Sequence, residues 1–363
     1  MLAFSIYDFS TLTKSIHESL LSTFSPGWTM TIEWTIIGLI LILFAAIAVL
    51  ILVYVERKVA AFFQLRLGPN RVGPYGIFQT VADFIKLLMK EHITSKNADK
   101  FLFNLAPFII VTAALLGIGA IPFALGLHVF DINIGLFYLT AVSSVGVLGI
   151  LIGGWAGNNK YSLIGALRSG AQIVSYELSI TLSLLVIVVL VGSLQLSDII
   201  ASQENGWWIF KGHISAWIAF VIFMIAGTAE TNRGPFDLAE AESELTAGFH
   251  TEYSGIKFAM FFLAEYLSLF IITSIGAIVF FGGWMPFHIG SWEAFNNIMD
   301  YIPPIVWFFS KVSALIGLIM WFKWTFPRLR IDQLLNLEWK YLLPINLFNL
   351  ILVSFIVLMG WYF

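Results

Sequence analysis

The densest group of ionisable side chains lies in one acidic segment, residues 230–254. Its one lysine or arginine is Arg233, and its acidic residues are Glu230, Asp237, Glu240, Glu242, Glu244 and Glu252. Most acidic runs are solvated loops. This one is also rich in Phe, Leu, Ala and Tyr, and it lies between two apolar segments long enough to span a membrane. Charge is costly beside lipid and is usually kept there for function, so a function is sought here first.

The spacing within the acidic segment predicts how its acids are arranged. A helix over residues 237–248 would place three of them on one face and a fourth on another. The three are Asp237, Glu240 and Glu244, and the fourth is Glu242. The i, i+3 spacing of Glu230 and Arg233 would allow an ion pair on one helical turn. Because clustered carboxylates cannot all ionise cheaply, some would hold protons and respond to a new anion nearby.

Three ionisable residues interrupt apolar segments at membrane depth: Glu177, Glu265 and Lys311. Glu177 would lie about one turn into the fourth predicted span, and Glu265 would lie ~14 Å along the axis of the sixth at 1.5 Å per residue. Lys311 falls near the middle of the seventh. Such groups are rare, usually paired and usually functional, although a static ion pair that only fixes helix packing is the alternative. Because burial disfavours a charged carboxyl group without a close base, Glu177 and Glu265 are candidate proton carriers.

The composition predicts that membrane-spanning helices position these side chains. Of 363 residues, 59% are hydrophobic and only 11% are charged, too few polar groups to cover a soluble fold. A spanning helix needs about 20 mainly apolar residues. Eight segments qualify: 34–55, 102–123, 132–153, 173–192, 214–229, 256–282, 302–322 and 342–362. We therefore predict an all-α polytopic membrane protein with about eight transmembrane helices.

Basic residues predict the orientation of these spans. The loops after the first, third, fifth and seventh spans hold 15 of the 19 lysines and arginines, and the opposite side holds only Lys14 and Lys211. These loops are predicted at about 56–101, 154–172, 230–255 and 323–341. By the positive-inside rule they face the cytoplasm or its equivalent, which places both termini on the other side. Residues 1–33 are an N-terminal extension without an assigned role, and residues 34–363 form a single transmembrane domain.

The first and longest loop is predicted to contain an amphipathic helix. GPNRVGPYG (68–76) predicts a rigid turn. From Phe78 onward, apolar and polar residues separate onto two faces, with Asp83 and Lys86 on the polar one. A helix of this kind lies at the membrane interface. Its polar face meets either lipid headgroups or a protein-lined cavity.

The composition argues against several function classes. The net charge of −3 argues against a nucleic-acid partner. The chain has no cysteine, so it lacks the thiolates that hold iron–sulfur clusters. Its six histidines fall near segment ends or in loops, not in the inward-facing pairs that haem would need. We expect no metal site and no cofactor bound by this chain.

Two long motifs resemble those of a known family. ERKVAAFFQLRLGPNRVGPYGIFQTVADFIKLLMKE (56–91) and AETNRGPFDLAEAESELTAGFHTEYSG (229–255) are similar to the two signature stretches of the H-type membrane subunit of respiratory NADH:quinone oxidoreductase, complex I. Supporting matches are Ser175-Tyr176-Glu177, Ala264-Glu265-Tyr266 and PRLRIDQLLNLEWKYLLP (327–344). The resemblance extends over nearly the whole chain from about residue 34.

This resemblance implies a non-redox membrane subunit of a proton-translocating enzyme of the bacterial cell inner membrane. The subunit forms the membrane end of a quinone-binding chamber and couples quinone reduction to proton translocation through the acidic segment. Iron–sulfur clusters and flavin belong to partner subunits. Partners are the quinone-site subunits of the peripheral arm, small membrane subunits, quinone and the lipid bilayer. Chamber residues match Glu56, Arg57, Asp83, Lys86, Glu230, Arg233 and Phe249. Proton-path residues match Glu177, Asp237, Glu240, Glu242, Glu244, Glu252 and Glu265.

Two departures and three alternatives qualify the resemblance. Lys323 stands where the family usually has Arg, and lysine cannot form a planar two-bond fork. Ile331 stands where the family often has Tyr. One alternative is a related membrane subunit of a membrane-bound hydrogenase complex. Another is a self-sufficient ion transporter, which would show paired helix interruptions that this sequence lacks. The third is a passive anchor of the peripheral arm, which charges at membrane depth argue against.

Overall fold

The computed structural model describes residues 9–204, 206–239, 242–288 and 292–360, without the side chains of Leu12, Glu242 and Ser243. Its α-helices are α1 (Ser10–Thr23), α2 (Pro26–Phe63), α3 (Gln79–Met89), α4 (Lys100–Gly119), α5 (Gly135–Ala156), α6 (Lys160–Val191), α7 (Leu196–Ala201), α8 (Trp208–Lys211), α9 (His213–Glu230), α10 (Glu242–Leu245), α11 (Gly255–Phe281), α12 (Glu293–Asp300), α13 (Pro304–Thr325), α14 (Ile331–Leu337) and α15 (Leu343–Leu358). A π-helical segment, Glu338–Leu342, joins the last two into one continuous helix.

Eight helices in the described ranges are long and apolar enough to cross a membrane. They are α2, α4, α5, α6, α9, α11, α13 and the continuous helix Ile331–Leu358. This confirms the all-α polytopic architecture predicted from the sequence. The helix predicted in the first loop is also present, as α3.

The predicted loops are shorter than expected because several spans continue as helices beyond their apolar stretches. Helix α2 runs on to Phe63, and α6 already begins at Lys160, where the Asn159 side chain accepts the backbone N–H of Tyr161. Polar residues end an apolar run without ending a helix, so hydropathy misplaced these boundaries. Glu177 is therefore not one turn into its helix; it lies ~26 Å along α6.

The residues before position 34 also differ from the expected extension. Helix α1 occupies part of this range, and α2 begins at Pro26, so the predicted boundary at residue 34 falls inside a helix. His17 Nδ1 lies 2.7 Å from Glu33 Oε1, which joins α1 to α2. Where described, this region is mostly helical, and most of its side chains are exposed.

Helix α11 is the centre of the bundle. It is apolar on all sides, as a helix surrounded by other helices should be, and both Val279 and Phe280 are fully buried. Helices α2, α4, α9 and α13 pack around it. The outer helices α4 and α5 approach closely because Gly149 has no side chain; a Cβ there would lie 2.2 Å from Ile110. This central position places Glu265 inside the bundle.

Candidate functional site

Four charged side chains meet near one end of the bundle: Glu56, Arg233, Glu265 and Lys323. We call them the ion cluster. Arg233 Nη1 donates to Glu56 Oε2, and its Nη2 lies 3.2 Å from Glu265 Oε1. Lys323 Nζ donates to Glu56 Oε1 at 2.5 Å. Each oxygen of Glu56 therefore has its own base, and Arg233 joins the carboxylates of two helices.

Arg233 reaches this position because the chain turns sharply after α9. The helix ends at Glu230, and Asn232 adopts a left-handed conformation with φ of 51°. The turn directs Arg233 toward α2 and α11, so the predicted ion pair between Glu230 and Arg233 is wrong. The guanidinium is 3% exposed and lies 4.1 Å from the centroid of the Tyr266 ring. Burial alone would lower the pKa of Arg233, but Glu265 and Glu56 outweigh it and raise that pKa, so Arg233 stays charged.

Lys323 belongs to the ion cluster although a lysine cannot form the two parallel hydrogen bonds that an arginine makes to a carboxylate. It makes one hydrogen bond to Glu56, and Arg233 supplies the second. Two separate bases therefore hold this carboxylate where one planar fork could have done so. The sequence marked Lys323 only as a departure from the family, and its partner was not predicted.

A cavity of about 100 Å³ extends from the ion cluster into the bundle. A single water needs roughly 10–15 Å³ of such space, so this volume accommodates several. Three carboxyl-bearing residues line it: Glu177, Glu230 and Glu265. Glu177 accepts a hydrogen bond from Ser144, and Glu230 is hydrogen-bonded to Ser143. Glu265 belongs to both the cavity and the ion cluster, so it connects the two.

This cavity gathers residues that are far apart in sequence. It lies among α4, α5, α6 and α11, and most of its wall is apolar. The sequence singled out the three acids but missed Ser143 and Ser144, because serine is common in spans and its spacing gave no signal. Glu265 was expected without a close base; Arg233 is that base.

Phe249 lines the same cavity and is buried. Its backbone is held against α6, where the hydroxyl of Ser162 donates to its carbonyl oxygen at 2.7 Å. Gly165 makes this approach possible, because a Cβ there would lie 2.8 Å from the Phe249 nitrogen. The acidic segment is thus fastened to the bundle at its aromatic residue.

The remaining described acids of the segment face other partners. Asp237 Oδ2 accepts from Arg328 at 2.8 Å, Glu244 Oε2 from Arg168 at 2.7 Å, and Glu252 Oε1 from Asn159 at 2.6 Å. None of these three lines the cavity.

The helix predicted over residues 237–248 is wrong for the described residues, where the only α-helical turn is α10. Its Ala, Leu and Glu residues favour a helix, but the described acids Asp237 and Glu244 pair with Arg328 and Arg168 on other parts of the chain. Glu240 lies outside the described residues, as does the side chain of Glu242. The path assignments of all these acids remain predictions.

Arg57 points away from its neighbour Glu56 and toward α3. Its Nη1 donates to Asp83 Oδ2 at 2.5 Å, and Gln79 donates to Asp83 Oδ1 at 3.2 Å. Partial burial raises the pKa of Asp83, but the hydrogen bonds from Arg57 and Gln79 outweigh it and lower that pKa. Lys86 is exposed on the same helix. The predicted quinone-binding set is thus divided among α3, the ion cluster and the cavity.

Lys311, the third charge at membrane depth, has neutral partners. Its ammonium donates to the backbone carbonyl oxygens of Phe281, Gly283 and Met285 at 2.6, 2.8 and 2.5 Å. It is buried and lies on α13 beside the end of α11. The static ion pair considered for it is absent from the described residues.

The described residues contain no group of three or more His, Cys, Asp or Glu side chains placed to hold a metal ion. The fold and site therefore define a class: a multispan membrane protein whose bundle encloses an acidic cavity joined to a buried ion cluster.

Sequence comparisons narrow this class. A family model described as NADH dehydrogenase matches residues 36–354. The chain is 57% identical over 358 residues to the H-type subunit of NADH-quinone oxidoreductase from Bacteroides fragilis, with 99% of this chain and 100% of the relative covered. Identity to the protein of the same name from Bacteroides thetaiotaomicron is 56% over the same coverage. For the Brevibacillus brevis protein it is 48% over 334 residues, 92% of this chain and 96% of the relative. The chain belongs to the NADH dehydrogenase family.

Proposed function

We propose that this chain is the H-type membrane subunit of an NADH:quinone oxidoreductase. In this proposal it forms the membrane end of a quinone-binding chamber and couples quinone reduction to proton translocation. The family and the names of its relatives support the identity of the subunit. One observation carries the chamber and coupling roles: Arg233 joins Glu56, which resembles a chamber residue, to Glu265, which lines the cavity.

This bridge gives the coupling a physical basis. Two unit charges about 4 Å apart interact by roughly 4 kcal/mol at the effective dielectric constant near a protein surface. A proton taken up at Glu56 would remove one of the two attractions on Arg233 and strengthen the other, to Glu265. The carboxyl groups of Glu265, Glu230 and Glu177 face one cavity, and like charges there disfavour full ionisation. A charge change beside Glu56 would therefore redistribute protons inside the bundle.

The proposal assigns the redox chemistry to other chains. Quinone is the substrate of the assembly, and iron–sulfur clusters and flavin are held by partner subunits of the peripheral arm. Quinone-site subunits, small membrane subunits and lipid are the contacts of this chain. The names of the relatives favour this assembly over a membrane-bound hydrogenase. A passive anchor would not require a buried bridge between two helices.

Neutralising Glu265 tests the coupling. We expect Glu265→Gln in the intact complex to lower the number of protons translocated per NADH, because the Arg233 bridge would then end on a side chain that cannot carry a proton. Glu177→Gln should act in the same direction. Glu293→Gln is the matched control, because Glu293 is exposed on α12 and belongs to neither the cavity nor the ion cluster. Inverted membrane vesicles report NADH oxidation and acidification together.

The same vesicle measurement can also contradict the coupling proposal. If Glu265→Gln assembles fully and pumps as many protons per NADH as the Glu293→Gln control, the cavity has no part in coupling. The site would then be structural.

The orientation is proposed from the distribution of basic residues and can be tested by labelling. The natural chain has no cysteine, so single introduced thiols give no background from it. We expect Ala82→Cys on α3 to react with a membrane-impermeant maleimide only from the cytoplasmic side, and Ala201→Cys only from the periplasmic side. Both positions are exposed. The reverse pattern would invert the proposed topology in the bacterial inner membrane.

A further inference from the structure

Glu338 is a fully buried acid that the coupling proposal does not use. It begins the π-helical segment Glu338–Leu342 and is 0% exposed. Its Oε1 accepts a hydrogen bond from the hydroxyl of Ser179 on α6 at 2.5 Å. Its Oε2 is buried and has no hydrogen-bond partner within the described ranges. One oxygen of this carboxyl group is therefore satisfied and the other is not.

The π-helical segment has a local cause in Pro344. Proline has no N–H, so it cannot complete the ordinary helical hydrogen bond to the residue four positions earlier. The preceding N–H, of Leu343, bonds instead to the Glu338 carbonyl oxygen five residues back. Single widened turns of this kind occur often at functional sites. The widened turn sets the register in which Glu338 and Asn346 are both buried against α6.

Asn346 carries a second unsatisfied acceptor beside the same serine. Its Nδ2 donates to the Ser179 carbonyl oxygen at 2.7 Å, and its buried Oδ1 has no partner in the part of the chain that the structure describes. A buried acceptor without a donor is unfavourable, because it has given up its hydrogen bonds to water. A proton on Glu338 Oε2 would turn one of these acceptors into a donor. An ionised Glu338 could not do so.

No base offsets a negative charge at this position. None of the ion pairs among the described residues includes Glu338. The nearby hydroxyl of Tyr176 donates to the Leu334 carbonyl oxygen at 3.0 Å. Burying an unpaired carboxylate with only one neutral hydrogen bond is strongly unfavourable. The neutral acid fits the site and the anion does not.

We propose that Glu338 is a second proton-binding site of the bundle: it holds a proton as a neutral acid, releases it to leave a carboxylate, and regains it during turnover. This inference rests on the proposed coupling function. The site is separate from the cavity, because neither Glu338, Ser179 nor Asn346 lines it. Glu177 and Ser179 are two residues apart on α6, and such positions face different sides of a helix.

The polar side chains near Glu338 continue deeper into the bundle. Ser183 is fully buried one turn beyond Ser179. Asn349, one turn beyond Asn346, donates to the Ser215 carbonyl oxygen on α9 at 2.9 Å. The seam between α6, α9 and α15 therefore carries a row of buried polar groups beginning at Glu338. A proton released at Glu338 would enter this row.

Infrared difference spectroscopy on the intact complex tests the proton site. Spectra are recorded with and without NADH-driven turnover. We expect a carbonyl band of a neutral carboxylic acid that changes on turnover, shifts in D₂O and is lost completely in Glu338→Gln. Glu293→Gln, at an exposed position on α12, is the matched control and should keep the band. Identical difference spectra for the natural protein and Glu338→Gln would overturn the proposal.

A second variant covers the case in which Glu338→Gln fails to assemble. Ser179→Ala keeps the acid but removes the hydrogen bond to its carbonyl oxygen, so the same band should move to higher frequency. A band that stays in place would overturn the proposal. Proton pumping by Glu265→Gln separates the two hypotheses. If that variant loses pumping while Glu338→Gln leaves the spectrum unchanged, only the Glu338 site fails; normal pumping by Glu265→Gln rejects the coupling function itself.

Discussion

Arg233→Met is expected to prevent stable assembly of the complex. The substitution leaves Glu265 without its base and Glu56 with only Lys323, inside a site where Arg233 itself is 3% exposed. Removing one partner of a buried ion pair costs about 3–5 kcal/mol, because the remaining charge loses much of its compensation in a place that water hardly reaches. That loss corresponds to a fall of about two to four orders of magnitude in the folded-to-unfolded ratio. The amount of subunit retained in purified complex, measured by quantitative mass spectrometry, reports it.

Arg168→Met is the matched control for this prediction. Arg168 also pairs with a glutamate, but the Glu244 side chain is 52% exposed. Surface pairs of this kind contribute about 0–1 kcal/mol, so assembly should be nearly unchanged. Equal losses from the two substitutions would contradict the distinction between a buried and an exposed pair.

Combining substitutions separates the structural role of the ion cluster from its proposed role in coupling. Replacing a whole buried ion group with neutral side chains is often neutral or stabilising. We therefore expect the variant that combines Arg233→Met, Lys323→Met, Glu56→Gln and Glu265→Gln to assemble better than Arg233→Met alone. The restored complex should still fail to pump, because no charge then links Glu56 to Glu265. Restored pumping would show that the cluster only holds the helices together.

The sequence predicted the fold well because hydropathy depends on local composition. Eight apolar segments gave eight helices, and the apolar and polar faces after Phe78 gave α3. Helix ends were less accurate. The Asn159 cap at the start of α6 and the proline-induced widening before Pro344 depend on hydrogen bonds that hydropathy does not register.

The candidate site was predicted in its residues but not in its contacts. Glu265 and Glu177 were identified as acids at membrane depth, and both line the cavity. The partner of Arg233 was misassigned because spacing along one helix was used across a turn at Asn232. Glu338 was missed because its helix was predicted to begin at residue 342, which placed this acid in a loop. Contacts across 177 residues, such as that from Glu56 to Arg233, leave no local pattern.

Lys311 shows that a charge at membrane depth can have a structural role, as a hydrogen-bond donor to the backbone, without taking part in proton transfer. Helix α11 ends where Gly282 adopts the left-handed conformation, with φ of 73°. The last carbonyl groups of a helix lack intrahelical partners, and they carry partial negative charge. Lys311 supplies donors to three carbonyl oxygens at this end, and its ammonium lies 4.6 Å from the centroid of a Trp207 ring. It therefore caps the central helix from a neighbouring one.

Lys311→Met is expected to destabilise the subunit strongly. One buried and two partly buried carbonyl groups would lose their donor, and a buried acceptor without a donor costs about 1–3 kcal/mol, so the total should reach about 3 kcal/mol. Thermal inactivation of purified complex and the yield of assembled subunit measure this loss. Complexes that do assemble should pump a normal number of protons per NADH, because Lys311 faces carbonyl groups and does not line the cavity.

Lys257→Met provides the comparison for this capping role. Lys257 also lies in a span, on α11, and its described contact is with the Phe103 ring at 5.1 Å. Such a contact is worth about 0.5–1 kcal/mol when partly exposed, so this variant should assemble nearly normally. Lys311→Met could instead assemble fully, keep its stability and lose pumping. That result would show that Lys311 belongs to the proton path and does not act by capping α11. Both lysines lie in spanning helices but differ in their partners, so the pair of variants tests whether those partners decide what each charge does.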